Sequence, residues 1–224
     1  MQRRVSFSPG EYYHIYTRGV EKRKIFLNKK DYDRFLALLY IMNQPGNFVF
    51  RDFLRTKKLA DIFDESQESP IVSIVAYCLM PNHFHLILQE HEEGGITKFM
   101  SKVLTSYSMY FNLKYERSGS LFMHPFRSKH IDNQSYYLYI YSYIHLNPVS
   151  LIQSDWKEVG VKNRKKVEEF LDNYPYSSYL DFQKEGRRES KILDFSKVPN
   201  YLKEKENLAD YIESFNKFTE DYPL

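Results

Sequence analysis

The chain has 224 residues, 42% of them hydrophobic and 27% charged, with a formal net charge of +3. These proportions exclude a disordered or fibrous chain and suit a folded domain with a proper core, while the charge permits a nucleic-acid partner without arguing for one. No run approaches the roughly 20 apolar residues of a membrane helix, and Met1 to Gly10 carries basic residues with no apolar stretch behind them, so a cytoplasmic protein with no signal peptide and no membrane contact is expected.

Taken in order, Glu11 to Val20 (EYYHIYTRGV) is aromatic and β-branched and predicts a first strand, with Lys22, Arg23 and Lys24 in the turn after it. Asn28 is placed to cap a helix whose apolar positions Tyr32, Phe35, Leu36, Leu39 and Met42 fall at helical spacing, and Pro45-Gly46 ends it. Residues 47 to 63 form a mixed segment, read as helical from Phe53 to Phe63, and DESQESP is a polar loop. Ile71 to Met80 and His83 to Gln89 flank Pro81-Asn82 and predict an antiparallel hairpin. Cys78, the only cysteine, lies in that apolar run and reads as a small buried hydrophobe; it excludes an internal disulfide and a cysteine-built zinc site.

Gly94-Gly95 opens a long helix with Ile96, Phe99, Val103, Tyr107 and Tyr110 on one face. Leu121 to Ile131 leads into another strand, and Asp132 or Asn133 caps a helix through Tyr136, Tyr139, Tyr143 and Leu146 to Asn147, where Pro148 marks the end. Trp156, Val167, Phe170 and Leu171 suggest a small helical segment, and YPYSSYLDF (174–182) is suited to pack back on the domain. Gly186 to Lys191 is charged and expected to be flexible, and Leu202, Ala209, Ile212 and Phe215 outline a last amphipathic helix. The order predicts an α+β fold, an antiparallel sheet of about four strands with packed helices. Residues 1–185 would form the catalytic-type domain and 186–224 a C-terminal helical extension.

His83-Phe84-His85 is the informative triplet. In a strand, alternate side chains share a face, so both imidazoles point one way and Phe84, Leu86 and Leu88 take the other. Two imidazoles so placed are candidate metal ligands, although hydrogen bonding within the fold is the plainer use of an H-x-H. Tyr143 and Asn147, four apart on a helix, share a face, which offers an amide oxygen as third ligand and a phenol as nucleophile. Spacing alone does not select Tyr143, since Tyr136, Tyr137, Tyr139 and Tyr141 lie in the same helix and packing serves all of them. His145 points away from that face and reads as structural or solvent-facing, and His124 stands in a loop where DNA contact is open. Arg18, Lys22, Arg23, Arg117, Arg127 and Lys129 sit among aromatics at strand and loop positions that suit phosphate contacts, or simply a solvated surface.

Five stretches in order resemble the single-tyrosine HUH transposases, the REP-associated tyrosine transposases and their insertion-sequence relatives: YYHIYTRG (12–19), MPNHFHLIL (80–88), SGSLFMHPFR (118–127), YIHLNPV (143–149) and YSSY (176–179). The resemblance covers roughly residues 9 to 182, and His124-Pro125 departs from the small or polar pair common there. It implies an HUH, RRM-like sheet, with Tyr143 as nucleophile and His83, His85 and Asn147 holding magnesium or manganese. It also implies single-stranded or hairpin DNA as partner, nicked and rejoined through a 5′-phosphotyrosine, in a monomer or homodimer. Two rivals remain: a hydrolase using metal-bound water, and a nucleic-acid-binding protein that no longer cuts.

Overall fold

Chain alternation between apolar and polar positions at period two builds the sheet, and period 3.6 builds the helices that cover it. The computed structural model describes residues 6–46, 48–123, 126–203 and 207–222. Strand β1 is Tyr12–Arg18, helix α1 Lys29–Ile41, a single turn α2 Phe50–Phe53, strand β2 Val72–Met80 and strand β3 His83–Glu90. Helix α3 is Gly95–Lys114, strand β4 Arg127–Ile131 and helix α4 Gln134–Leu146. Short helices α5 (Trp156–Val159), α6 (Arg164–Leu171), α7 (Tyr179–Gln183) and α8 (Asn200–Lys203) lead to α9 (Leu208–Phe218). No helix among the described residues is long and apolar enough to cross a membrane.

The four strands lie in the order β2-β3-β1-β4 and pair antiparallel throughout, the expected α+β sheet. Helices cover both faces. One core gathers Ile15, Phe84, Leu86 and Leu88 with α1 and α3; the other gathers Val75, Cys78 and Ile87 with α4 and the C-terminal segment. The second layer explains why β2 is buried along its whole length although it is an edge strand. Its outer side is occupied by the YSSY stretch: Leu79 N–H donates to Tyr176 O (2.9 Å) and Ser178 N–H to Tyr77 O (2.9 Å). An edge so covered cannot recruit another chain.

Caps follow the sequence signals. Asn28 accepts from Lys30 N–H while Asp31 accepts from Asn28 N–H, and Asn133, one of the two proposed caps, accepts from Tyr136 N–H. After β1 the backbone turns so tightly that a Cβ at Gly19 would collide with the Arg23 carbonyl oxygen.

Several expectations need correction. The first strand is shorter than Glu11–Val20, because Gly19 and Val20 leave the ladder for the turn. The expected helix from Phe53 to Phe63 is instead α2 and a 3-10 segment, Leu59–Asp64. Pro148 ends the α-helix but not the helical backbone: the chain continues as a 3-10 helix, Asn147–Leu151, with Asn147 itself in the αR region. Proline tolerates this at the first turn because its missing N–H would have no partner there.

Gly186 to Lys191 is held in place where flexibility was expected. Arg187 lies 3.0 Å from buried Asp181 and donates to Pro175 O, and a 3-10 turn Arg188–Ile192 follows. Residues beyond it pack into the same core as α4, with Leu202, Leu208, Tyr211 and Phe215 buried there. His124 and Pro125 lie outside the described residues.

Candidate active site on the α4 face of the sheet

Register places the site. Residues directly opposite in an antiparallel ladder share a face. β3 sets His85 opposite Tyr16, His83 opposite Arg18 and Ile87 opposite His14. β4 adds Arg127 opposite Tyr16 and Lys129 opposite His14. One face therefore carries His14, Tyr16, Arg18, His83, His85, Arg127 and Lys129, and α4 crosses above it. The face is open only at its margin: His83 is half-buried, while His85 and His14 are buried beneath α4.

Each imidazole of the triplet has one nitrogen committed. His83 Nδ1 is 2.7 Å from the Asn82 side-chain oxygen, which can only accept, so Nδ1 carries the proton and Nε2 keeps its lone pair. His85 Nδ1 is 2.8 Å from His14 Nε2, and His85 Nε2 is buried with no hydrogen-bond partner among the described residues. Burial, with Lys157 and Arg18 adding to it, pushes His83 down to about 4 against a pull the other way from Asn147. Burial and the neighbouring His14, His83 and Lys157 push His85 well below its ordinary value. Burial, then Lys129, lowers His14 to about 3. These are neutral rings near pH 7, which is the ligating form.

Asn147 is buried close enough to His83 and Tyr143 to bias the protonation of both, and its side-chain nitrogen has no hydrogen-bond partner among the described residues. Among the described residues no group of three or more His, Cys, Asp or Glu is gathered to hold a metal ion, so a third donor beside the two imidazoles would be of another type, such as the Asn147 amide oxygen. Two neutral imidazoles, one with an otherwise unused buried nitrogen, and an amide oxygen fit a divalent cation.

Tyr143 meets this set edge-on: its ring centroid lies 5.3 Å from that of His85, at 83°. Burial pushes its phenol well above the ordinary value, with Asn147 working against the rise. Lys157 Nζ donates to the Tyr143 oxygen at 3.2 Å and stands 4.7 Å from the ring centroid.

The neighbouring tyrosines are spent on packing. Tyr139 stacks on Phe215, Tyr141 meets Phe182 and Tyr211, Tyr137 packs on Tyr12, and Tyr136 lies under the Lys129 ammonium. His145, on the far side of α4, is fully buried and bonds the Ser178 hydroxyl at 2.7 Å, so it is structural and not solvent-facing.

Of the basic residues, the fold brings Arg18, Arg127 and Lys129 to this face and leaves others away from it. Arg18 reaches Met123 Sδ (3.1 Å), and Arg127 and Lys129 are exposed. Arg23 is paired with Glu21 and folds back on Val20 O, and Lys22 is exposed in the turn. Arg117, bonded to Asn112, belongs at the end of α3 on the opposite layer. Sequence reasoning missed His14, Tyr16 and Lys157. The first two share β1 parity with Arg18 and were findable once His85 was paired to β1; Lys157 carries no local signal.

The family described as transposase IS200 like matches residues 10–147. The chain belongs to the IS200-like transposases. The match runs from the start of β1 to Asn147 and so takes in both histidines and Tyr143, while Lys157 and the C-terminal layer of this IS200-like chain lie beyond it. Among solved structures, a REP-associated tyrosine transposase bound to a REP hairpin is similar at 14% identity and a TM-score of 0.46, covering 89% of this chain and 97% of that one. No curated protein matches.

Proposed function

We propose that this IS200-like protein cuts and rejoins single-stranded DNA, using Tyr143 as nucleophile and His83, His85 and Asn147 to hold magnesium or manganese. The observation that carries the reading is Tyr143 packed beside His85, whose buried Nε2 has no hydrogen-bond partner among the described residues, in a chain of transposase ancestry. When bound, the cation would polarise the scissile phosphate and stabilise negative charge at the departing oxygen.

The chain's own residues do the rest. Asn82 and His14 fix the ring orientation of His83 and His85. The Tyr143 ring lies between Phe215 on one side and His85 on the other, which limits its freedom to turn. Arg18, Arg127 and Lys129 are placed to meet the phosphates of a strand laid across the sheet. The bond energy kept in a 5′-phosphotyrosine lets a 3′ hydroxyl rejoin strands with no nucleotide cofactor. Unpaired or hairpin DNA is the fitting substrate class, because unstacked bases can be splayed out and an unpaired strand is free to bend toward Tyr143.

The test is incubation with labelled single-stranded hairpin oligonucleotides and manganese, then denaturing electrophoresis and mass spectrometry. A DNA-linked peptide containing Tyr143 is expected. Binding without any adduct across a broad hairpin library would mark a nucleic-acid-binding protein that no longer cuts.

A further inference from the structure

We propose that Lys157 is a catalytic residue of this site, its ammonium stabilising charge on the Tyr143 oxygen as the bond to phosphorus forms and again as it breaks. This rests on the reading of Tyr143 as nucleophile.

Three observations lead to it. Lys157 Nζ donates to the atom that would attack, at 3.2 Å. Its place is built and not incidental: the preceding Trp156 is buried, donates Nε1–H to Ser150 Oγ at 3.0 Å and packs on Phe215 at 4.7 Å, which anchors α5 beside α4. The ammonium is half-buried and makes no ion pair within 4 Å among the described residues, although the next basic residue, Lys162, is paired with Asp155. A half-buried cation whose one hydrogen-bond partner among the described residues is a neutral phenol gains most when that oxygen becomes anionic. Such an interaction is stronger in the transition state than before it, as catalysis requires.

In the cleavage step the Tyr143 oxygen bonds to phosphorus and the phosphorus–O3′ bond breaks, its electron pair leaving on O3′. The phenolic proton passes to solvent, and O3′ takes one up from solvent, so protons balance and no oxidant or reductant enters. In joining, an incoming 3′ hydroxyl gives its proton to solvent as its oxygen bonds to phosphorus, and the bond between phosphorus and the Tyr143 oxygen breaks, its electron pair returning to that oxygen beside Lys157, which takes up a proton from solvent. An ammonium at that oxygen therefore accelerates both directions alike.

The experiment is a single-turnover comparison of the full chain with Lys157→Met, Lys157→Arg and Tyr143→Phe. The probe is a set of labelled single-stranded hairpin oligonucleotides with randomised flanks, in manganese. Removing one preorganised donor at a charged transition-state oxygen typically costs about 100-fold or more. Lys157→Met is thus expected to slow adduct formation and its reversal by the same factor, with hairpin affinity and manganese affinity unchanged. Lys157→Arg, which keeps charge and reach, should recover most of the rate. Wild-type rates in Lys157→Met, with the adduct still on Tyr143, overturn the role of Lys157 alone. A defect seen only as weaker DNA binding overturns it too. An adduct on another residue of the unmodified chain, or none, overturns the Tyr143 reading and the lysine's role with it.

Discussion

His14 Nε2 lies 2.8 Å from His85 Nδ1, in stacked rings 5.1 Å apart, so the two imidazoles share one proton arrangement. For His85 Nε2 to keep a lone pair for a cation, its Nδ1 has to donate, and His14 Nε2 has to accept. If His85 holds a cation as proposed, His14 is a positioning residue that sets its tautomer.

The first prediction follows from that pair. His14→Ala should weaken manganese binding by roughly 10–100-fold, the usual cost of losing such a partner. Calorimetry or the signal of free manganese in electron paramagnetic resonance reads it directly. Affinity equal to that of the unmodified chain would reduce the pair to packing.

A second concerns the two proposed ligands themselves. His83→Ala combined with His85→Ala should abolish saturable manganese binding and DNA cleavage together, leaving the fold intact by circular dichroism. A metal titration indistinguishable from that of the unmodified protein would remove both residues from the metal site.

Tyr143→Phe should eliminate the DNA-linked product and leave hairpin binding within a factor of about two, since the ring contacts with His85 and Phe215 survive and only the hydroxyl goes. Electrophoretic mobility shift and denaturing gels on the same oligonucleotides separate the two effects. Continued cleavage at the original rate would move the nucleophile elsewhere.

The C-terminal helix should matter for this site although it lies outside the family match. Phe215 packs on Trp156, Tyr139 and Tyr143, the elements that carry the proposed nucleophile and Lys157. Phe215→Ala removes a buried ring and should cost about 3–5 kcal/mol in denaturant unfolding. Adduct formation should slow as well under conditions where the variant is still folded. A stability loss under 1 kcal/mol would mean that α9 is not bound into the core as described.

Acid stability supplies a prediction far from the site. Burial alone would raise the Asp31 carboxyl, but the Lys114 ammonium at 2.6 Å, the Tyr115 hydroxyl, the Leu27 amide and the Tyr110 hydroxyl outweigh it and hold it below its ordinary value. A carboxyl depressed on folding stabilises the protein above its unfolded pKa of about 4, and that contribution is lost as pH falls through the lower folded value. Asp31→Asn should therefore cost roughly 2 kcal/mol at pH 7 and show a shallower fall in melting temperature below about pH 4 than the unmodified chain. Parallel melting curves across that range would contradict the assignment.

Local geometry was legible in the residues themselves. Period-two alternation put His83 and His85 on one face, an i, i+4 spacing put Tyr143 with Asn147, and the asparagine caps started α1 and α4 where they were expected. These patterns reach only across a few residues, because that is the range over which a strand or helix repeats. Which tyrosine of α4 meets the histidines, which cation meets that tyrosine, and whether residues 186 to 191 move freely are questions of which face packs on which. Tyr143 meets His85 from 58 positions away in sequence, Lys157 arrives on a single helical turn, and Arg187 is held by Asp181. Contacts of that kind form only when separate elements are brought together around a common core, and no spacing along one element encodes them.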